Sequence, residues 1–201
     1  MAKRILLAGI LGGIAMFLWS FIAHDLLPLG TAGISEISNE APVMAAMNSS
    51  LGQSSGLYMF PGFGLGPDAT RQQKAAAMKD YENKLALNPS GLLIYHPAGA
   101  SGMTPARLGT EFLTELVEAF LLVFLLAQIG TSSFASRVGF AAIAGLLAAM
   151  STNIPYWNWY GFPMTYTVSY MTIEIASFVI VGVVAAAVLK KGEPRASAAA
   201  V

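Results

Sequence analysis

Hydrophobic and polar positions are sorted into long blocks rather than short alternations. From Ile5 to Ala23 no residue is charged, and Lys3 and Arg4 stand immediately before the run. A helix needs about 20 predominantly apolar residues to cross a bilayer core, so the pattern predicts a first transmembrane helix over 1–27. A signal peptide is the competing reading. Cleavage after Ala23 would place bulky Phe21 where a small residue is wanted, and Gly9 and Gly13 form a G-x-x-x-G face suited to helix packing.

A second apolar block is announced by Thr104 and Pro105, an N-cap followed by proline at the first helical position. It predicts a helix over 105–131, and at 1.5 Å per residue a helix of that size is about 40 Å long, more than a hydrocarbon core requires. Between Val138 and Ile173 there is no charge at all, and the segment Asn153 to Pro163 interrupts the run with two prolines and a glycine. This predicts a third helix over 132–154, an outer aromatic turn over 155–163 and a fourth helix over 164–190. Ala141, Gly145 and Ala149 on the third and Gly182 and Ala186 on the fourth recur every four residues, which lets helices approach closely.

Basic residues in short loops set orientation. Lys3 and Arg4 precede the first span, Arg137 lies between the second and third, and Lys190, Lys191 and Arg195 follow the fourth. All fall on one side, which places both termini in the cytoplasm, 191–201 as an inner tail, and 28–104 outside. That outer segment is too long for a structureless connection. A short helix is expected near Asn39 to Met47 and a longer one from Asp68 to Leu87, stopped by Asn88 and Pro89. Ser55 to Gly62 and Ser90 to Gly99 share a Ser-Gly-Leu start, an apolar run and a proline stop. They fit two short strands in a β-α-β unit or paired ribbon, or else loops dipping into the interface.

Composition agrees with the blocks: 55% of the 201 residues are hydrophobic and 11% charged, against about 25% charged in an ordinary soluble domain. Eleven basic residues balance eleven acidic ones, so no global field attracts nucleic acid. The absence of cysteine removes disulfides, thiolate metal sites and cysteine nucleophiles. The fold class is therefore a mainly α membrane protein, a four-transmembrane-helix bundle with a small structured outer segment between spans one and two. The abundance of Ala and Gly points to a bacterial inner membrane.

Candidate chemistry concentrates at the outer ends of the spans. Glu111, Glu115 and Glu118 are spaced four and three apart, within about 60° of arc on a helix, and Glu174 on the fourth helix comes to comparable depth. His24 and Asp25 end the first helix on the same side. Ionised groups at membrane depth must pair, protonate, face water or bind a cation. Three readings follow: a structural network bonding to Thr110, Thr114, Thr172, Ser169 or the outer indoles and phenols; a proton or cation path through Glu115, Glu118 and Glu174; or a metal site combining carboxylates with His24. The metal reading lacks an H-E-x-x-H or Glu-x-x-His spacing, and which metal or cofactor the chain holds, if any, is left open.

Tyr156, Trp157, Trp159, Tyr160 and Phe162, with Tyr166 and Tyr170 beyond, crowd the outer end of spans three and four. They read as an aromatic belt at headgroup depth or as a contact surface for a partner or lipid. His96 has no accompanying catalytic motif. The glycines from Gly62 to Gly66 lack a P-loop lysine.

One span, a long outer segment and three closely spaced spans resemble the topology of claudin-like four-helix membrane proteins. The paired cysteines and Trp-x-x-Trp signature of that outer loop are absent here, so the resemblance implies topology and no residue role. Leu26 to Gly30 and Ile154 to Pro163 resemble segments of a bacterial four-span membrane family, a resemblance that implies no activity. The expected function is a non-enzymatic membrane subunit or assembly partner, contacting lipid and other membrane subunits or a second copy of itself. A small proton-coupled or cation-handling carrier is the alternative and a membrane-bound metalloenzyme the third.

Overall fold

The computed structural model describes residues 1–129 and 133–189. Helix α1 (Ala2–Phe21) runs on into a π-helical turn, Ile22–Leu26. There follow α2 (Glu40–Leu51), strand β1 (Gly56–Phe60), α3 (Arg71–Leu87), strand β2 (Gly91–Tyr95), α4 (Pro105–Gln128), α5 (Phe134–Tyr160) and α6 (Met164–Val188). The chain divides into two compact units: a helix bundle that takes in Met1–Ile34 and the residues from Met103 onward, and a separate unit, Ser35–Gly102. Residues 130–132, the expected inner tail 191–201 with Lys191 and Arg195, and Lys190 lie outside the described residues.

Among the described residues, three helical segments are long and apolar enough to cross a membrane: Ala2–Leu26, Phe134–Tyr160 and Met164–Val188. This is the make-up of a transmembrane protein. Helix α4 has 24 residues, enough in length, but it differs from the other three by carrying three acids, Glu111, Glu115 and Glu118, between its start and its middle.

Small residues explain how the bundle closes. A Cβ added at Gly13 would lie 2.8 Å from the Leu116 Cα, and one at Gly9 would run into the Phe120 ring. The G-x-x-x-G face of α1 is thus where α4 packs, antiparallel to it. Gly12 turns toward Val181 of α6, and Gly145 of α5 lies against Phe178 and Ile175 of α6. Helix α6 touches all three other long helices and pairs most extensively with α5. Its buried residues are Thr167, Ile173, Ser177, Val181, Gly182, Ala185 and Ala186, of which Ile173, Ser177, Val181 and Ala185 recur every four residues along one stripe of the helix. Leu122, Val123 and Leu126 of α4 complete the apolar core with Ala8, Met16 and Ala141.

Local signals set the helix ends. The Thr104 hydroxyl accepts a hydrogen bond from the Arg107 N–H at 3.2 Å, with Pro105 at the first helical position. The expected break over 155–163 is narrower than the prolines imply, because α5 continues through Pro155 to Tyr160. A proline near a helix end removes one backbone donor without stopping the chain's α geometry. Gly161 does the stopping: its φ of 71° is left-handed, and the Phe162 N–H reaches back to the Tyr156 carbonyl at 3.3 Å. The turn is Gly161, Phe162 and Pro163.

Within Ser35–Gly102, β1 and β2 form an antiparallel pair in the register Gly56↔Tyr95, Tyr58↔Leu93, Phe60↔Gly91. The paired-ribbon alternative is the one formed, with α3 in the connection. Thr70 and Gln73 make a reciprocal capping box at the start of α3, and the Phe63 ring stacks on Tyr81 with centroids 4.2 Å apart. No residue of this unit is buried.

Candidate functional site

The antiparallel crossing of α1 and α4 sets the last turn of one against the first turns of the other. There Ser20 Oγ donates to Glu115 Oε1. Glu115 is only 4% exposed, and its second oxygen, Oε2, is buried without a hydrogen-bond partner. At the same level, Trp19 Nε1 donates to the Ile173 carbonyl of α6 at 3.0 Å. Next to Ile173, Glu174 accepts at Oε2 from Asn153 Nδ2 of α5 at 3.2 Å, and that amide also donates to Ala149 O at 3.0 Å. Glu118, half-buried one turn along from Glu115, lies within electrostatic range of Glu174 and of Glu111. All four long helices therefore contribute to one polar layer: Ser20 and Trp19, Glu115 and Glu118, Asn153, and Glu174.

His24 and Asp25 stand apart from that layer. Both are exposed and line a cavity at the end of α1, together with Ser20 and Glu111. Its other wall is apolar, made by residues such as Phe17, Phe21 and Leu108. His24 also packs edge-on against Tyr170 with centroids 5.6 Å apart, and the Tyr170 hydroxyl donates to Gly30 O at 3.3 Å. These contacts fold the chain after α1 back along α6.

Among the described residues no group of three or more His, Asp or Glu side chains is gathered closely enough to hold a metal ion. The carboxylates are instead spread over α4 and α6 with neutral partners. The expected hydroxyl partners turn elsewhere: Thr110, Thr114 and Thr172 each donate to the carbonyl four residues earlier on their own helix. A threonine on a membrane helix satisfies itself in this way at no cost in tertiary geometry. Ser20 and Asn153 take the role instead. Their signal in the sequence is faint, namely a small hydroxyl and an amide at helix positions that face a neighbour.

The chain matches no family model, no curated protein and no solved structure.

The aromatic group separates into two sets. Tyr156, Phe162, Tyr166 and Tyr170 form a continuous ladder with centroid separations of 5.3, 5.1 and 4.2 Å, reaching His24 at the far end. These rings tie the α5–α6 turn to the end of α1. Trp157, Trp159 and Tyr160 point outward, Trp159 with 78% of its surface exposed. Tyr156, at the end of the ladder, is exposed as well and packs against Tyr160. Arg137, expected as a loop charge, lies in the first turn of α5, where it is buried and its Nε and Nη1 make no hydrogen bond.

Proposed function

We propose that this protein is a non-enzymatic subunit of a larger bacterial inner-membrane assembly, anchored by four spans with both termini in the cytoplasm. Helix α4 is the fourth span. Its buried residues, Glu115, Ala119, Leu122, Val123 and Leu126, make one stripe against the other three helices, while Leu113, Val117, Leu121, Phe124 and Leu125 face outward. An apolar outer face on a helix packed beside α1 suits lipid. The glutamates avoid it by turning toward Ser20, Glu174 and the cavity end.

The observation that carries the assembly reading is the state of Ser35–Gly102. The unit has two helices and a strand pair, yet no buried residue, and it leaves Leu57 and Ile94 67% and 71% exposed. Leu57 and Ile94 are opposite each other in the strand pair, and a joined apolar surface of this kind suits a partner's contact. A groove in the same unit is lined by Met44, Met47, Tyr95 and Pro97, and methionine adapts readily to a partner's shape. The partner is another membrane protein with a complementary apolar surface outside the bilayer.

The test is photocrosslinking in native membranes from single positions, Met44, Leu57 and Ile94, compared with lipid-facing Leu121. The first three should give a discrete adduct with one polypeptide, and Leu121 should not. Adducts to lipid alone, or to a second copy alone, would overturn the hetero-assembly reading. Reporter fusions check the topology, with Gly66 and Gly161 outside and Ser133 and the C-terminus inside; a cytoplasmic signal from Gly66 would reverse it.

A further inference from the structure

We propose that Arg137, at the end of the bundle where α5 begins and α6 finishes, binds a phosphate oxyanion. Arg137 is 3% exposed, and its Nε and Nη1 are buried with no hydrogen-bond partner among the described residues. It belongs to the buried stripe of α5 that continues, every four residues, through Ala141, Gly145, Ala149 and Asn153. A Cβ added at Gly182 would meet the Ala141 Cβ, and one at Gly145 would meet the Phe178 Cβ. Four residues forward on α5 thus answer four residues back on α6, and the same register sets Arg137 level with Ala186. Ala185 and Ala186 are both buried. Their side chains leave room for the arginine stem and offer its guanidinium no acceptor.

The chain also places no acid at that end. The stretches that meet there, 1–13, 119–129, 133–145 and 178–189, hold Lys3, Arg4 and Arg137 and neither Asp nor Glu. The carboxylates of the described bundle, Asp25, Glu111, Glu115, Glu118 and Glu174, run from its middle to the opposite end. A cation buried without a counterion is costly. An anion from outside the chain supplies the missing charge.

The helix start adds a second set of donors. Arg137 is the fourth residue of α5, and side chains on an α-helix lean toward its N-terminus. The guanidinium is thereby carried toward the first turn, where backbone N–H groups have no acceptor within the helix and the macrodipole is positive. A guanidinium presents a planar fork that suits carboxylate or phosphate. Position selects phosphate. Helix α5 has 27 residues, about 40 Å against a hydrocarbon core of about 30 Å, so its first turn reaches the level of the phospholipid headgroups. A phospholipid headgroup and free phosphate share this chemistry.

The experiment uses the full chain in maltoside micelles and compares, by native mass spectrometry, retention of phosphatidylglycerol with that of a diacylglycerol of the same chains, which lacks the phosphate. The parent should hold phosphatidylglycerol roughly tenfold more tightly, as expected for a charge-assisted contact in a partly shielded site. Arg137→Met and Arg137→Gln, one apolar and one polar, should each bring the two lipids level, with circular dichroism matching the parent. Lys3→Gln removes an exposed charge at the same end and should leave the preference unchanged. Undiminished preference in the folded Arg137 variants, or an equal loss in Lys3→Gln, would overturn the proposal in favour of a diffuse basic field. A several-fold gain in Glu193→Gln would overturn it too, because the chain's own acid would then be competing for the guanidinium. A second arm adds excess inorganic phosphate and follows its binding by calorimetry. Phosphatidylglycerol that stays bound assigns the site to a phospholipid; its displacement, with saturable phosphate binding by the parent and not by the Arg137 variants, assigns the site to free phosphate. Equal retention of the two lipids by the parent together with no phosphate binding would leave Arg137 without an anion and sink the idea.

Discussion

Helices α1 and α3 are both regular, of 20 and 17 residues, and they are held by different forces. Helix α1 buries Ala8, Gly9, Gly12, Gly13 and Met16 against its neighbours. Helix α3 buries nothing. What supports α3 is local: the Thr70–Gln73 capping box, the Asp80–Lys84 ion pair at 3.0 Å, the Asn88 amide on the Lys84 carbonyl, and the Phe63–Tyr81 stack. A cap contributes about 1 kcal/mol and an exposed i,i+4 pair a few tenths. Isolated helices of this length are marginal in water on such terms. The bundle is thus finished by its own side chains, whereas Ser35–Gly102 is folded with its apolar surface still uncovered.

The largest effect that could break this contrast is expected from Gly13→Leu. The nearest obstacle to a side chain there is the Leu116 backbone, which cannot rotate away, so unfolding in micelles should show a loss of about 3 kcal/mol. Parent-like stability would mean that α1 and α4 do not make this close approach. Next in size is Glu115→Ala, which strips the Ser20 hydroxyl of its acceptor and should lower stability by about 2 kcal/mol, while Glu115→Gln keeps an acceptor oxygen and should retain most of it. Equal losses for the two would show that charge, not the hydrogen bond, is what matters at this position.

Trp19→Phe should cost about 1 kcal/mol through the lost bond to the Ile173 carbonyl. A null result in the same assay would place that contact outside the packed layer. The smallest effect sharpens the other side of the comparison. Ala76→Leu on exposed α3 should change stability by less than about 0.5 kcal/mol, and the amides of α2 and α3 should exchange with deuterium well before those of α6. Slow exchange in α3 without any partner would contradict the picture of an uncovered unit.

Most of the helical architecture was legible because its signals are local in sequence. Uninterrupted apolar runs marked α1, α5 and α6, Thr104 and Pro105 marked the start of α4, and Asn88 with Pro89 marked the end of α3. The glycine and alanine faces pointed to close approach, and each found a partner helix. Less legible was the end of α5. Pro155 looks like a break, but the residue that ends the helix is Gly161, because a left-handed backbone terminates an α-helix more decisively than one missing donor near its end. The strand pair was ambiguous for a different reason: runs as short as Gly56–Phe60 carry no periodicity that separates strand from loop.

For the candidate site, the sequence by itself determined which acids share a face. Glu111, Glu115 and Glu118 follow helical spacing, and Glu174 stands alone in an otherwise uncharged α6. Tertiary structure alone decided what each acid meets. Ser20 reaches Glu115 across 95 positions of chain and Asn153 reaches Glu174 across 21, pairings fixed by the register in which glycine faces let the helices settle. The same register placed Arg137 inside the bundle and sent Tyr156 into a ladder while leaving Trp159 outside. Spacing along one helix is a property of backbone geometry and can be read from the chain. The angle and offset between two helices come from how their side chains interlock, and no local pattern carries that information.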